Sequence, residues 1–179
     1  VRYASDFCRR AIKLEQATCV MPLATVFTYA FGNCYNLKKI HIEVPLAQQI
    51  IQFCYLSSSL RYIYLYCPSA TALDTSIYLC YGLEEVIMPD IHSVKKITQT
   101  FSSMSSCHTL HIGKWAHANI SITAATLLYP ESIHYIIQNA VDLADGATAR
   151  TLTLSATAKT NWQNSEYYND DLTLLTAKG

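Results

Sequence analysis

The chain has 179 residues, 51% of them apolar and 15% charged, and its 13 basic and 13 acidic side chains cancel to a formal net charge of zero. That size and composition suit one compact domain with a large buried core. Neutrality, with no basic run, no Arg/Lys-rich helix and no stacked aromatic motif, argues against a nucleic-acid partner. No stretch approaches the roughly 18 consecutive apolar residues of a membrane span, and none has the pattern of a signal peptide.

The chain is organised by a repeat. Leu14, Leu37, Leu60 and Leu83 recur every 23 residues, Cys107 follows at 24, and Pro22, Pro45 and Pro68 keep the same step. Pro89 comes two residues early, which implies two residues lost between strand and turn in that copy. Six residues before each leucine position lie Cys8, Phe31, Cys54, Ile77 and Phe101; three before lie Ala11, Cys34, Ser57, Cys80 and Met104. Apolar pairs with a step of two follow: Ala17/Cys19, Ile40/Ile42, Ile63/Leu65, Val86/Met88 and Leu110/Ile112. Steps of three suit a coiling turn, and the change to a step of two predicts a short strand with one face inward in each unit. A further apolar column, Phe27, Ile50, Leu73, Ile97 and Ile120, comes later in each copy. One parallel strand per unit at this period is the pattern of a leucine-rich repeat, an α/β solenoid in which each unit buries its apolar side by stacking on the next.

The expected organisation is about five repeats over residues 1–122 and a C-terminal cap over 123–179, together one structural domain. The first repeat is incomplete. Because the chain opens at Val1 in mid-repeat rather than at a methionine, it is expected to be an excised piece that continues upstream, where any export signal would lie.

The seven cysteines are odd in number and most fall on inward columns, so structural thiols are favoured over disulfides. Cys67, beside Pro68, is the one expected at the surface. A hydroxyl in such a column, as in Cys34→Ser, is expected to cost roughly 1–3 kcal/mol.

After Thr123 the period fails. Residues 131–143 carry apolar side chains at i, i+3, i+4, i+7 and i+8 and predict an amphipathic helix after Pro130, ended by Gly146. Leu152 and Leu154 predict a last strand, and a second short helix is expected from an Asp170 N-cap to Lys178. Helix, strand, helix in place of the repeat suits a cap over the last apolar edge.

The spacing from Phe31 to Pro45, F-x-x-C-x-x-L-x-x-I-x-I followed by Pro, resembles the BspA-like leucine-rich repeats of surface antigens from gut and oral bacteria. The likeness covers roughly residues 7–122, and the tail from Ala149 is similar to the segment that follows such repeats in gut bacterial and phage-encoded proteins. The resemblance implies a leucine-rich-repeat fold and a cell-surface or secreted adhesion or recognition role. Departures are Cys54, Ser57 and Cys107 in the columns and an unusually aromatic strand at Tyr62, Tyr64 and Tyr66.

Residues alternating with the inward pairs should face outward on a concave sheet. They include Lys39, His41 and Glu43; Tyr62, Tyr64 and Tyr66; Glu85 and Ile87; and Thr109, His111 and Gly113. All of these but Gly113 are the expected ligand-binding residues, for a protein or glycan, since central tyrosines give rigid area with a polar tip. Equally, tyrosine is a good strand former and could simply cover the sheet. No catalytic motif, metal or cofactor site is expected. Cys107 and His111 should point apart, Glu84-Glu85 and Asp170-Asp171 suit solvated faces, and Ile120 of the Asn119-Ile120-Ser121 sequon is inward. The competing reading is a spacer or assembly segment of a larger surface or phage-encoded protein, with no ligand of its own.

Overall fold

The computed structural model describes residues 2–142 and 148–178. It is a parallel solenoid of about five turns with three helices, following the 23-residue step. The expected strand of each turn is present: β2 (Gln16–Val20), β4 (Lys39–Glu43), β6 (Tyr62–Tyr66), β8 (Glu85–Met88) and β10 (Thr109–Ile112). They pair in parallel in the order β10-β8-β6-β4-β2. Each turn also carries a second, three-residue strand on the later apolar column. These are β3 (Val26–Thr28), β5 (Gln49–Ile51), β7 (Ala72–Asp74) and β9 (Lys96–Thr98), and with β1 (Tyr3–Ser5) they form another five-stranded parallel sheet. The last such segment, β11 (Ile120–Ile122), pairs instead with β12 (Leu152–Leu154).

Between the two sheets lies the core. Ile40, Ile42, Ile63, Leu65, Val86, Met88, Leu110 and Ile112 from one sheet meet Phe27, Ile50 and Leu73 from the other, all fully buried. In the first turn the equivalent Ala17 and Cys19 are only half-buried, because β2 is the outer strand of its sheet.

The corners of the coil use left-handed backbone without glycine. Tyr29, Gln52, Thr75 and Gln99 share one column and Arg10, Asn33, Leu56 and Leu79 another, with φ between 47° and 62°. Such a conformation costs roughly 1–2 kcal/mol per non-glycine residue. What offsets it is the stacking itself: the Tyr29, Gln52 and Thr75 N–H groups donate to the Ile51, Asp74 and Thr98 carbonyls one turn on. Asn33 and Leu56 donate likewise to Tyr55 and Tyr78.

Pro89 marks a gain rather than a loss. Tyr64 pairs with Ile87 at the 23-residue step, whereas Leu73 pairs with Ile97 at 24, so one residue is added between β8 and β9. The added length forms a corner at Pro89-Asp90 that presses on the next turn. A Cβ on Gly113 would collide with the Pro89 carbonyl, so this glycine is packed under the corner rather than turned outward with Thr109 and His111.

All seven cysteines are free thiols, and five of them, Cys67 among them, are buried. Cys67 stands in the column of Val44, one step beyond the inward pair, which is why the expectation of a surface thiol fails. Burial pushes the Cys67, Cys80 and Cys107 thiols up to about 12, so none is a nucleophile at neutral pH. Cys8 and Cys19 are half-buried. Thiol titration without reductant is expected to find all seven groups in denaturant and about the two half-buried ones rapidly in the native protein. Far fewer than seven in denaturant, restored by reduction, would reveal disulfides.

One inward column is a ladder of donors. Cys34 Sγ donates to the Cys8 carbonyl (3.1 Å), Ser57 Oγ to Phe31 (2.9 Å) and Cys80 Sγ to Cys54 (2.9 Å). A hydroxyl at Cys34 therefore meets an acceptor, not an apolar stack, and the cost expected from sequence is revised. Cys34→Ser and Cys80→Ser should change stability by less than about 1 kcal/mol. Ser57→Ala, which takes from the buried Phe31 carbonyl its donor and from the Cys34 N–H its acceptor (3.2 Å), should cost roughly 1–3 kcal/mol. Equilibrium unfolding of the three variants checks this; a loss for Ser57→Ala no larger than for the two cysteine-to-serine changes would refute the ladder.

The cap holds a strand and three helices: α1 (Pro130–Gln138), α2 (Ala156–Gln163) and α3 (Tyr168–Lys178). Helix α1 begins at its proline as expected but stops at Gln138, with Asn139 at its C-cap, not at residue 143. Beyond it Val141 N–H donates to the Trp115 carbonyl (2.8 Å), which draws the chain out of the helix. Gly146 and Leu143 lie outside the described residues. Sequence periodicity did not predict α2, whose side chains are mostly polar; it is capped by Ser155 Oγ, which accepts from Ala158 N–H (3.1 Å). Helix α3 starts two residues before the expected Asp170 cap, and Asp171 is buried rather than solvated. Its carboxylate accepts from Trp162 Nε1 (2.8 Å) and bonds His134 Nδ1 (2.8 Å), joining all three helices. Helix α1 lies against β10, with Ile133, Ile136 and Ile137 buried, and Ser132 Oγ accepts from Leu110 N–H (3.0 Å) at the strand's open edge.

Candidate functional site

The register of the first sheet decides which outward side chains meet. Lys39, Tyr62, Glu85 and Thr109 stand in one rung across β4, β6, β8 and β10. His41, Tyr64, Ile87 and His111 form the next, and Glu43 pairs with Tyr66 in a third. All ten residues expected at the site therefore share one face of one sheet, with the three tyrosines on its middle strand.

Across the strands these side chains lie on one another. The Lys39 ammonium sits over the Tyr62 ring (4.7 Å to its centre), and the His41 ring stacks on Tyr64 with centres 4.3 Å apart and planes 7° from parallel. His41 Nε2 is also 2.9 Å from Glu43 Oε1. The tyrosines are thus half-buried, not freely exposed. Burial, then the nearby Glu43 carboxylate and the flanking phenols, raise the Tyr64 hydroxyl; burial and then Glu85 raise that of Tyr62. Both phenols stay neutral at physiological pH and can donate as well as accept a hydrogen bond.

The surface extends past the strands through two features that alternation could not reveal. His111 stacks on Tyr135 of α1, centres 4.3 Å apart, so the cap continues the aromatic row. Tyr135 sits between apolar helix positions, and only the docking of α1 on β10 brings it there. At the C-terminal ends of the strands, Asp90 on the one-residue corner is held by His92 Nδ1 (2.6 Å) and Lys114 Nζ (2.9 Å). Burial would raise its carboxyl, but these hydrogen bonds outweigh that and hold it below its ordinary value. Lys114, raised chiefly by its bond to Asp90, also feels Tyr66. A signal for this corner exists in sequence, the early Pro89.

Chemically the face offers neutral phenols, two imidazoles, an ammonium and two carboxylates over a fixed sheet. His41 and His111 belong to strands with two others between them. Cys107 is buried with its thiol directed at the Thr109 carbonyl (3.3 Å), away from His111. Among the described residues no three His, Cys, Asp or Glu side chains converge as a metal-binding group. No described helix is long and apolar enough to cross a membrane.

Neither a protein-family model, nor a curated protein, nor a solved structure matches this chain.

Proposed function

We propose that this chain is a non-catalytic recognition or adhesion module that binds a protein or glycan through the outward face of its first sheet. The observation that carries the reading is the row Lys39, Tyr62, Glu85 and His41, Tyr64, Ile87, in which rings are held parallel or capped by a cation over strands fixed by a buried core. Aromatic side chains already ordered by their neighbours lose little freedom on binding, which favours them as contact hot spots. The resemblance of Phe31 to Pro45 to BspA-like repeats supports a place at the cell surface or in secretion.

A screen against host surface proteins and glycans, followed by Tyr64→Ala, tests the reading. Tyr64→Ala should weaken a partner at least tenfold, about 2 kcal/mol for a central aromatic, and Lys159→Ala on α2 should leave it unchanged. Normal binding by Tyr64→Ala would move the site elsewhere.

One observation favours the spacer reading instead: β1 and β2 are outer strands, and beside them Cys8, Leu14 and Cys19 are only half-buried. Such an edge can accept another turn of solenoid.

A further inference from the structure

Between β12, α1, α2 and α3 lies a cavity of about 290 Å³ lined by Trp115, Ile133, Ile137, Leu154, Trp162 and Leu175, with Arg150 in its wall. A recess of about 240 Å³ shares Trp115, Arg150 and Leu175 with it and opens beside Ala140 and Lys178. A water molecule occupies roughly 30 Å³ of liquid. The cavity therefore has room for a molecule on the order of ten heavy atoms.

Its walls are mainly apolar, with Thr151 and one charged residue, Arg150, among them. Arg150 Nε is buried without a hydrogen-bond partner, and no ion pair to Arg150 forms among the described residues. A guanidinium cannot shed its proton, so a buried N–H of this kind is complementary to an anion. The neighbouring donors are already committed. Trp115 Nε1 donates to the Ala118 carbonyl, Trp162 Nε1 to Asp171, and Lys178 Nζ to the Gln138 and Ala140 carbonyls at the end of α1. A planar carboxylate matches the guanidinium fork, and an aromatic or branched apolar body matches two indoles and the aliphatic walls.

The geometry points to a second binding site, in the cap, for a small apolar carboxylate held by Arg150. It is independent of the strand face.

Trp115 and Trp162 are the chain's two tryptophans and both line this cavity, so intrinsic tryptophan fluorescence reads the site directly. Titration of the full chain with phenylbutyrate should give a saturable fluorescence change. Phenylbutanol, of nearly the same shape without the charge, should bind about tenfold more weakly, the loss of one charge-assisted pair. Arg150→Met should abolish the preference for the acid. Equal affinity of the native protein for acid and alcohol, or no saturable change with phenylbutyrate, would overturn the assignment. Those two outcomes are read on the native protein and decide the matter even if Arg150→Met does not fold.

Discussion

A chain ended at Thr123 is expected to aggregate instead of persisting as a folded monomer. Removing the rest uncovers Leu110 and Ile112 on β10 and Ile120 and Ile122 on β11, all at most 1% exposed in the intact protein. Each fully buried side chain of this kind contributes about 1.5–3 kcal/mol, so the four together represent roughly 6–12 kcal/mol as an upper bound. That rivals the whole stability of an ordinary domain, about 5–15 kcal/mol. The deletion also strips β11 of β12, its only strand partner among the described residues, and β10 of the Ser132 hydroxyl at its edge. What remains is an open apolar end with unpaired strand edges, a surface that recruits other chains. Size-exclusion chromatography with light scattering, and a melting curve, check the expectation. A soluble monomer with the melting temperature of the full chain would show that the helices are an appendage and not a cap.

The sheet that carries the candidate site was legible in sequence because its strands alternate in a fixed frame. Ile40/Ile42 and Ile63/Leu65 repeat 23 residues apart, so the faces of Lys39, His41, Tyr62 and Tyr64 follow without any tertiary knowledge. The second sheet was not legible as strand. A three-residue strand such as Gln49–Ile51 places one side chain inward, which shows as a column but gives no alternation. The corners were silent for a different reason: the left-handed positions hold Tyr29, Gln52, Thr75 and Leu79, where glycine would have announced them. Their conformation is imposed by hydrogen bonds between turns, which only stacking supplies.

Local signals misled where a neighbour in sequence outweighed the column. Proline beside Cys67 suggested a surface turn, yet the position belongs with Val44 inside. Asp170-Asp171 has the composition of a solvated helix start, but Asp171 is fixed by Trp162 and His134 from two other helices. The cap has no internal period, so its packing is written in such long-range pairs. Stacking of His41 on Tyr64 and of His111 on Tyr135 was equally invisible, since it depends on ring orientation and not on which face a residue occupies.

The proposed role requires the outward row to be free of structural duty, and two adjacent residues of β6 separate that from the alternative in which tyrosines merely cover the sheet. Ile63 is fully buried and Tyr64 half-buried, one residue apart on opposite faces of the same strand. Ile63→Ala should lose about 2–5 kcal/mol by opening a cavity in the core. Tyr64→Ala should lose no more than about 1 kcal/mol, chiefly its stack on His41. Equilibrium denaturation of the two variants beside the parent measures both, and the predicted result is a large loss for the first and a small one for the second with unchanged cooperativity. A loss for Tyr64→Ala that matches that of Ile63→Ala would make the tyrosine row part of the scaffold and contradict its assignment as the recognition surface.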